Sequence, residues 1–372
     1  MKILGISGGT KNGANDCMCK EALLAAKEQG AEIEFVRLMD LEIKHCTGCK
    51  ACVMSLFSGR GNMCVLKDDF QWLLDKMLDA DGIIFSIPIF EKCAAGIFHT
   101  IMDRFGPRMG LSNNIVADKI SAANGGKRID PKYMKTRAVS YMGIGGSDWA
   151  TEIQNDFYLH ALTPMWKVID NEVFMWSLGI LTDDSKVARA HQIGVNLAEA
   201  AKDIEHATWK GEDGVCPHCH SRNFYIEGDN VAVCGQCGIR GKLVTEDGKV
   251  RFTFEESQIE HAHDTLSGQF IHADDIQNNE KMQVLLQEVM SIKQKFSVMQ
   301  RLSQQLNRNR NYALPVKSIK IYDLISINQN INQRYVKKCK REKSKYVVLT
   351  TYRAFLFGYN VISISIREFF TK

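Results

Sequence analysis

The first 200 residues alternate short apolar runs with amphipathic segments, and few folds satisfy that alternation. Lys2–Ser7 reads as a buried strand and Glu32–Leu38 as a second. Gly82–Ile87 is almost wholly apolar, as a central parallel strand should be. Ala138–Gly143 and Trp166–Met175 complete five strands. Between them the 3.6-residue period predicts helices from about Asp16 to Gln29, with Cys19, Ala22, Leu23 and Ala26 on one face, and from Asp68 or Asp69 onward, with Phe70, Leu73, Leu74, Met77 and Leu78. Further helices are expected over Ala95–Phe105, Thr151–Leu162 and Ser185–Ala201. The pattern predicts a doubly wound, five-stranded parallel α/β sheet. Residues 110–135 show no clear period and read as a long insertion beside the site.

The first loop carries chemistry. Ser7-Gly8-Gly9-Thr10-Lys11-Asn12-Gly13-Ala14-Asn15 joins the first strand to the first helix, at the carboxyl end of a strand where open α/β sheets bind ligands. Glycines let backbone N–H groups approach a phosphate, hydroxyl and amide side chains add donors, and a helix start favours the anion. The loop is neither a Walker loop nor the G-x-G-x-x-G dinucleotide fingerprint. Taken alone, an ordinary Gly-rich turn explains it nearly as well.

Twelve cysteines fall into two groups and a few scattered residues. The amino terminus lacks the long apolar core and cleavage site of a secretion signal, so reduced thiolates in the cytoplasm are expected, not disulfides. Cys46, Cys49 and Cys52 form C-x2-C-x2-C, with Cys64 after eleven more residues. Three thiolates so spaced can converge on one face of an iron–sulfur cube, with a fourth from a nearby loop. Cys216, Cys219, Cys234 and Cys237 form C-x2-C-x14-C-x2-C, two knuckles flanking a short hairpin, as tetrahedral zinc on four thiolates needs. Rubredoxin-type iron is the runner-up there. Cys17, Cys19 and Cys339 read as structural, and Cys93 as a buried inert thiol.

Three passages in residues 1–200 carry a family resemblance. The first loop is similar to the FMN phosphate loop of the flavodoxin-like NAD(P)H-dependent FMN reductases, and in particular of the iron–sulfur flavoproteins. The family's usual Ser-Pro-Arg is replaced here by Gly8-Gly9-Thr10. Ser86-Ile87-Pro88-Ile89-Phe90, followed by Gly96 and Met102-Asp103-Arg104, resembles the S-P-x-Y…G…D-R passage that lies against the flavin ring. Gly143-Ile144-Gly145-Gly146-Ser147-Asp148-Trp149 takes the place of the third flavin loop. The resemblance implies FMN held by Ser7, Gly8, Thr10, Asn12, Gly13, Ala14, Asn15, Pro88, Ile89, Phe90, Gly143, Gly145, Gly146 and Trp149, with Phe90 or Trp149 stacking on the ring. It implies a [4Fe–4S] cluster on the first cysteine group, although the gap before Cys64 is longer than the family's. NAD(P)H or reduced ferredoxin would donate electrons, and a homo-oligomer is expected. No residue stands out as an acid/base catalyst.

The rest of the chain is expected to divide into a zinc-ribbon-like module over 211–255, after a flavodoxin-like domain over 1–205, then a helical segment over 256–310 and a basic tail over 311–372. An apolar stripe of Met282, Leu285, Leu286, Val289 and Ile292 predicts a helix over 280–306. From residue 313 onward there are 12 Lys and Arg against 3 Asp and Glu. Tyr346–Ile366 is apolar, but Arg353 interrupts it, and a mid-span Arg costs ~2.5–3.5 kcal/mol. No membrane span is expected, and a net charge of +4 gives no case for nucleic acid. The function expected is that of an FMN-dependent oxidoreductase or electron-transfer flavoprotein. The alternative is a redox-responsive binding or scaffold protein with a structural zinc ribbon and no turnover.

Overall fold

The structure is a computed structural model that describes residues 1–289. The rest of the segment expected over 280–306 and the basic tail lie outside the described residues.

Strand β1 (Lys2–Ser7) is followed by α1 (Ala14–Glu28), β2 (Glu32–Arg37), α2 (Ala51–Phe57), α3 (Phe70–Asp79), β3 (Gly82–Phe90) and β4 (Cys93–Ala94). Then come α4 (Gly96–Met102), α5 (Gly106–Met109), α6 (Leu111–Asn124), β5 (Ala138–Ile144), α7 (Ile153–Leu162), β6 (Lys167–Phe174) and α8 (Asp184–Lys202). Five strands pair in parallel in the order β2-β1-β3-β5-β6, and the short β4 folds back antiparallel on β3. This is the flavodoxin-like order, with its switch point between β1 and β3.

Both faces of the sheet are covered, which is why its central strands read as unbroken apolar runs. On one face Met18 and Leu23 of α1 and Ile193 and Leu197 of α8 pack under Ile3 and Ile84. On the other, α3, α4, α6 and α7 bury Phe70, Leu73, Phe98, Ala117 and Phe157 against Leu4, Ile83 and Phe85. Phe85, Tyr141 and Phe157 stack in sequence at 5.5 and 4.9 Å, and Phe98 meets Phe157 edge-on at 5.3 Å. Such pairs add about 0.5–1.5 kcal/mol each beyond their buried area. This aromatic block fixes α4 and α7 against the sheet.

Residues 110–135 are not an aperiodic insertion. They hold α6, whose buried positions include Ser112, Asn114 and Ser121. Asn114 donates to the carbonyls of Arg108 and Gly110 at 2.8 and 2.9 Å. A helix that buries polar residues shows no hydrophobic stripe, so periodicity misses it. Helix α2, inside the cysteine loop, was hidden by its shortness.

A second, antiparallel sheet follows, in the order β10-β9-β8-β7. Its strands are β7 (Phe224–Gly228), β8 (Val231–Cys234), β9 (Arg240–Glu246) and β10 (Lys249–Thr253). Asp229 and Asn230 both take positive φ, 48° and 55°, in the tight turn between β7 and β8. Helix α9 (Leu266–Val289) starts well before the expected 280. Its Gln269 donates to the carbonyls at the end of α7, 2.7 Å from Leu162 and 3.2 Å from Thr163. Among the described residues no helix is long and apolar enough to cross a membrane.

Candidate flavin site and cysteine groups

Three loops meet at the carboxyl edge of the parallel sheet. The Gly8 N–H donates to Ser86 O at 2.9 Å, and Asn15 Nδ2 reaches Ser86 Oγ at 3.3 Å, so the first loop is tied to the end of β3. A Cβ on Gly8 would meet Pro88 Cδ at 3.3 Å, and one on Gly145 would meet Ile89 Cδ1 at 3.2 Å. Gly145 is pinned on its far side, its N–H donating to Phe174 O and its carbonyl accepting from Ser177 N–H, both at 3.0 Å. Thr10, Pro88 and Gly145 thus belong to one continuous rim. Gly143 is different: it lies inside β5, where a Cβ would strike Ile153 Cγ1 at 2.9 Å, so its side faces α7. Gly146 is exposed with open space beside it.

The first loop has the features of an anion cradle. A Cβ on Gly9 would meet Asn15 Cβ at 2.6 Å, and one on Gly13 would meet Thr10 Oγ1 at 2.6 Å. The N–H groups of Asn12 and Gly13 are used internally, by Asp16 Oδ2 and Thr10 O. Those of Thr10, Lys11, Ala14 and Asn15 find no acceptor among the described residues. Unpaired amides at the start of a fifteen-residue helix suit a phosphate. The cradle therefore fits the phosphate of a flavin mononucleotide.

Sequence reasoning missed Asp16. It is fully buried and accepts from Ser7 Oγ at 2.6 Å and Asn12 N–H at 2.9 Å, with Arg37 Nη1 at 3.0 Å. Asp16 thereby holds both ends of the loop and leaves the outward amides free. Its signal in the sequence, an acid in the first helical turn, reads equally well as a partner of the helix dipole.

Three large aromatic rings stand exposed around this rim. Phe90, Trp149 and Trp176 are each more than 60% exposed, at the end of β3 and on the loops after β5 and β6. Phe90 stands on a hairpin with a two-residue turn, Glu91 and Lys92, both at positive φ (48° and 73°). Trp176 also takes positive φ, 55°. Exposed rings on tight turns cost stability unless a ligand or partner covers them.

The first cysteine group lies next to this edge, after β2. Cys46 and Cys49 are exposed, while Cys52 and Cys64 are half-buried. The Ala51 N–H and the Thr47 side chain pull the Cys49 thiol below its ordinary pKa, whereas burial pushes Cys52 up. Arg104 joins the loop to α4: it donates to Lys44 O at 2.9 Å, pairs with Asp68 at 2.6 Å and reaches Cys64 Sγ at 3.5 Å. These sulfurs are not drawn as close as those of the second group.

Cys216, Cys219, Cys234 and Cys237 are buried, and their sulfurs all lie within 4.8 Å of one another. Cys216 and Cys237 are 3.9 Å apart, and Cys219 and Cys234 3.4 Å. Four thiolates around one tetrahedral ion at Zn–S of about 2.3 Å would stand about 3.8 Å apart. Hydrogen bonds among the four push the Cys234 thiol down and that of Cys219 up, as expected of a set that cannot ionise together without a cation. The group can hold a metal ion. His218 does not ligate, its Nε2 pairing with Asp264 at 2.8 Å, and His220 stacks on Trp209. Tyr158 of α7 reaches the same Asp264 at 2.8 Å, so the cysteine module is docked on the helix that follows the third loop.

Comparison with known proteins agrees with this geometry. The family model for NADPH-dependent FMN reductase matches residues 1–156. A flavone reductase of solved structure is 53% identical, with a TM-score of 0.72, over 86% of this chain and 100% of its own. A flavone synthase of Aspergillus candidus is 26% identical over 307 residues, 79% of this chain and 94% of its own. An iron–sulfur flavoprotein of Methanocaldococcus jannaschii is 35% identical over 217 residues, 55% of this chain and 100% of its own.

Proposed function

Because this chain belongs to the family of FMN reductases and iron–sulfur flavoproteins, an FMN-dependent oxidoreductase family, we propose that it reduces a planar aromatic enone of the flavone type with NAD(P)H as donor. In the net reaction NAD(P)H and one proton would give NAD(P)+ while a conjugated C=C bond becomes C–C. The observation that carries this reading is the exposed aromatic rim of Phe90, Trp149 and Trp176 around a phosphate cradle. Support for the substrate class comes from the flavone reductase that is similar over its whole length.

FMN, when bound, supplies two-electron acceptance and donation. The chain's part is placement. The amides of Thr10, Lys11, Ala14 and Asn15 would take the phosphate, with Thr10 Oγ1 and the Asn12 and Asn15 side chains as further donors. The backbone of Pro88–Phe90 and of Gly145–Gly146 would face the ring's polar edge, and Phe90, Trp149 and Trp176 would close on the planar substrate and exclude water. We assign a [4Fe–4S] cluster to Cys46, Cys49, Cys52 and Cys64, with the Arg104 guanidinium beside Cys64 offsetting its negative charge, and zinc to the buried group of Cys216, Cys219, Cys234 and Cys237.

The test is anaerobic mixing of the purified yellow protein with NADPH and then with a flavone, followed by chromatography. Bleaching by NADPH, recovery of colour on adding flavone and appearance of the C=C-reduced product are expected. Trp149→Ala and Phe90→Ala should raise the KM for flavone about tenfold or more, one stacked aromatic contact being worth about 0.5–1.5 kcal/mol beyond its buried area, and should leave bleaching by NADPH unchanged. Bleaching without any transfer to flavone refutes the substrate. Bleaching by reduced ferredoxin alone refutes the nicotinamide donor.

A further inference from the structure

Helices α4 and α7 bring His99, Asp156 and His160 together beside the β3–β4 hairpin, on atoms that neither the flavin loops nor the cysteine groups use. His99 Nε2 lies 3.1 Å from Asp156 Oδ2, and His160 Nε2 lies 3.5 Å from Asp156 Oδ1. All three ligand atoms stand within 4.8 Å of one another. We propose that this cluster binds a divalent transition-metal ion, zinc foremost, that fastens α4, which follows the hairpin carrying Phe90, to α7.

The spacing is that of a ligand set. Nitrogen and oxygen ligands at about 2.0–2.1 Å from a tetrahedral ion stand about 3.3 Å from each other; here each Asp156 oxygen faces one imidazole nitrogen, at 3.1 and 3.5 Å, with one atom of each side chain within 4.8 Å of the others. Asp156 and His160 sit four residues apart on one face of α7, and His99 comes from α4. The backing is rigid: the His160 ring packs edge-on against Phe98 at 4.8 Å, and Phe98 belongs to the aromatic block under both helices. The Ala94 N–H donates to Asp156 Oδ2 at 2.8 Å and sets the carboxylate's orientation, as outer hydrogen bonds do for metal ligands. The ion-pair partners of Asp156 among the described residues are these two imidazoles, so no lysine or arginine fills the cation's place. Two imidazoles with one carboxylate suit zinc, cobalt or nickel and not calcium or magnesium, which take oxygen. The side chains remain 38%, 14% and 19% exposed, which leaves an entry path and room for water to complete the shell.

The position gives the ion a consequence. Ala94, whose N–H is held by Asp156, belongs to the hairpin whose Glu91 and Lys92 hold positive φ, a conformation that costs energy in residues other than glycine. A metal on Asp156 would anchor that strained turn, and Phe90 with it, to the helix that begins after the third loop.

The experiment takes the purified flavin-loaded full chain, treats it with EDTA, removes the chelator and titrates it calorimetrically with zinc chloride, with metal content measured before and after. One equivalent of zinc should be taken up beyond whatever the four buried cysteines retain. His99→Gln and His160→Gln should each abolish that equivalent or weaken it at least tenfold. His191→Gln, at a histidine that among the described residues pairs with Glu21 and Glu28, should leave it unchanged. Circular dichroism and retained flavin establish that the variants are folded, and Asp156→Asn, which keeps the shape, provides a third reading. Zinc uptake equal in wild type and in both His99→Gln and His160→Gln, or no uptake beyond the cysteine-bound metal, overturns the site.

Discussion

Replacing Asp16 by Asn tests whether the phosphate cradle is held from behind. Asp16 accepts from the Ser7 hydroxyl at 2.6 Å and from the Asn12 N–H at 2.9 Å, in a fully buried position. Asn keeps the shape and one acceptor oxygen. Its amide nitrogen cannot face the Asn12 N–H, where donor would meet donor, so it must turn toward Ser7 Oγ, which can accept. Both bonds survive but lose the charge. A hydrogen bond to a charged group contributes about 1.5–3 kcal/mol and a neutral one about 0.5–1.5, so the change costs about 1 kcal/mol per bond and about 2 in all. Arg37 Nη1, 3.0 Å from the same carboxylate, loses charge pairing as well but keeps Asp40 as a partner at 2.6 Å, so about 2 kcal/mol is a lower figure. Since the outward amides of residues 10–15 form the cradle, the loss should appear in flavin affinity, and about 2 kcal/mol is about a thirtyfold rise in Kd. Titrating free FMN with apoprotein and following the quenching of its fluorescence measures this. Asp16→Ala removes the acceptor of the Asn12 N–H and of the Ser7 hydroxyl altogether and should cost more. Dissociation constants within threefold of wild type in both variants would refute the reasoning.

Other consequences follow from the packing and the charges. Burial pushes the Asp68 carboxyl up, but the Arg104 guanidinium and the Lys44 and Phe70 N–H groups outweigh it and hold its folded pKa below the ordinary carboxylate value of about 3.9. A depressed pKa gives stability that is present above about pH 3.9 and is lost as pH falls through the folded value, so Asp68→Asn should flatten the acid limb of a denaturation series and lower stability at neutral pH. With zinc on the second cysteine group as proposed, Cys219→Ser should abolish metal binding there and unfold β7–β10, since structural zinc supplies about 10–16 kcal/mol in zinc-finger peptides. Rapid proteolysis confined to residues 211–262 would show it, and an unchanged digestion pattern would count against it. At the α1–α8 crossing a Cβ on Gly194 would lie 1.9 Å from Ala22 O, so Gly194→Ala should cost about 3 kcal/mol or more by overpacking, read as a lowered melting temperature.

What the sequence determined by itself was everything written in local pattern. Strand β3 was legible because a strand covered on both faces must be apolar throughout. The second cysteine group was legible because tetrahedral ligation fixes both the residue type and the spacing of each knuckle. The three rim loops were legible through a family resemblance carried by their glycines and proline, the first loop taken alone reading nearly as well as an ordinary turn. Tertiary structure alone decided the rest. Asp16 gains its role from Ser7 and Arg37, the latter twenty-one residues away at the end of β2, and α6 is held by Asn114, which bonds to the preceding turn. His99, Asp156 and His160 meet only because an aromatic block sets α4 against α7. Local rules fix the propensity of a segment, but which polar groups share a small volume depends on how helices pack on the sheet, and that is a property of the whole fold.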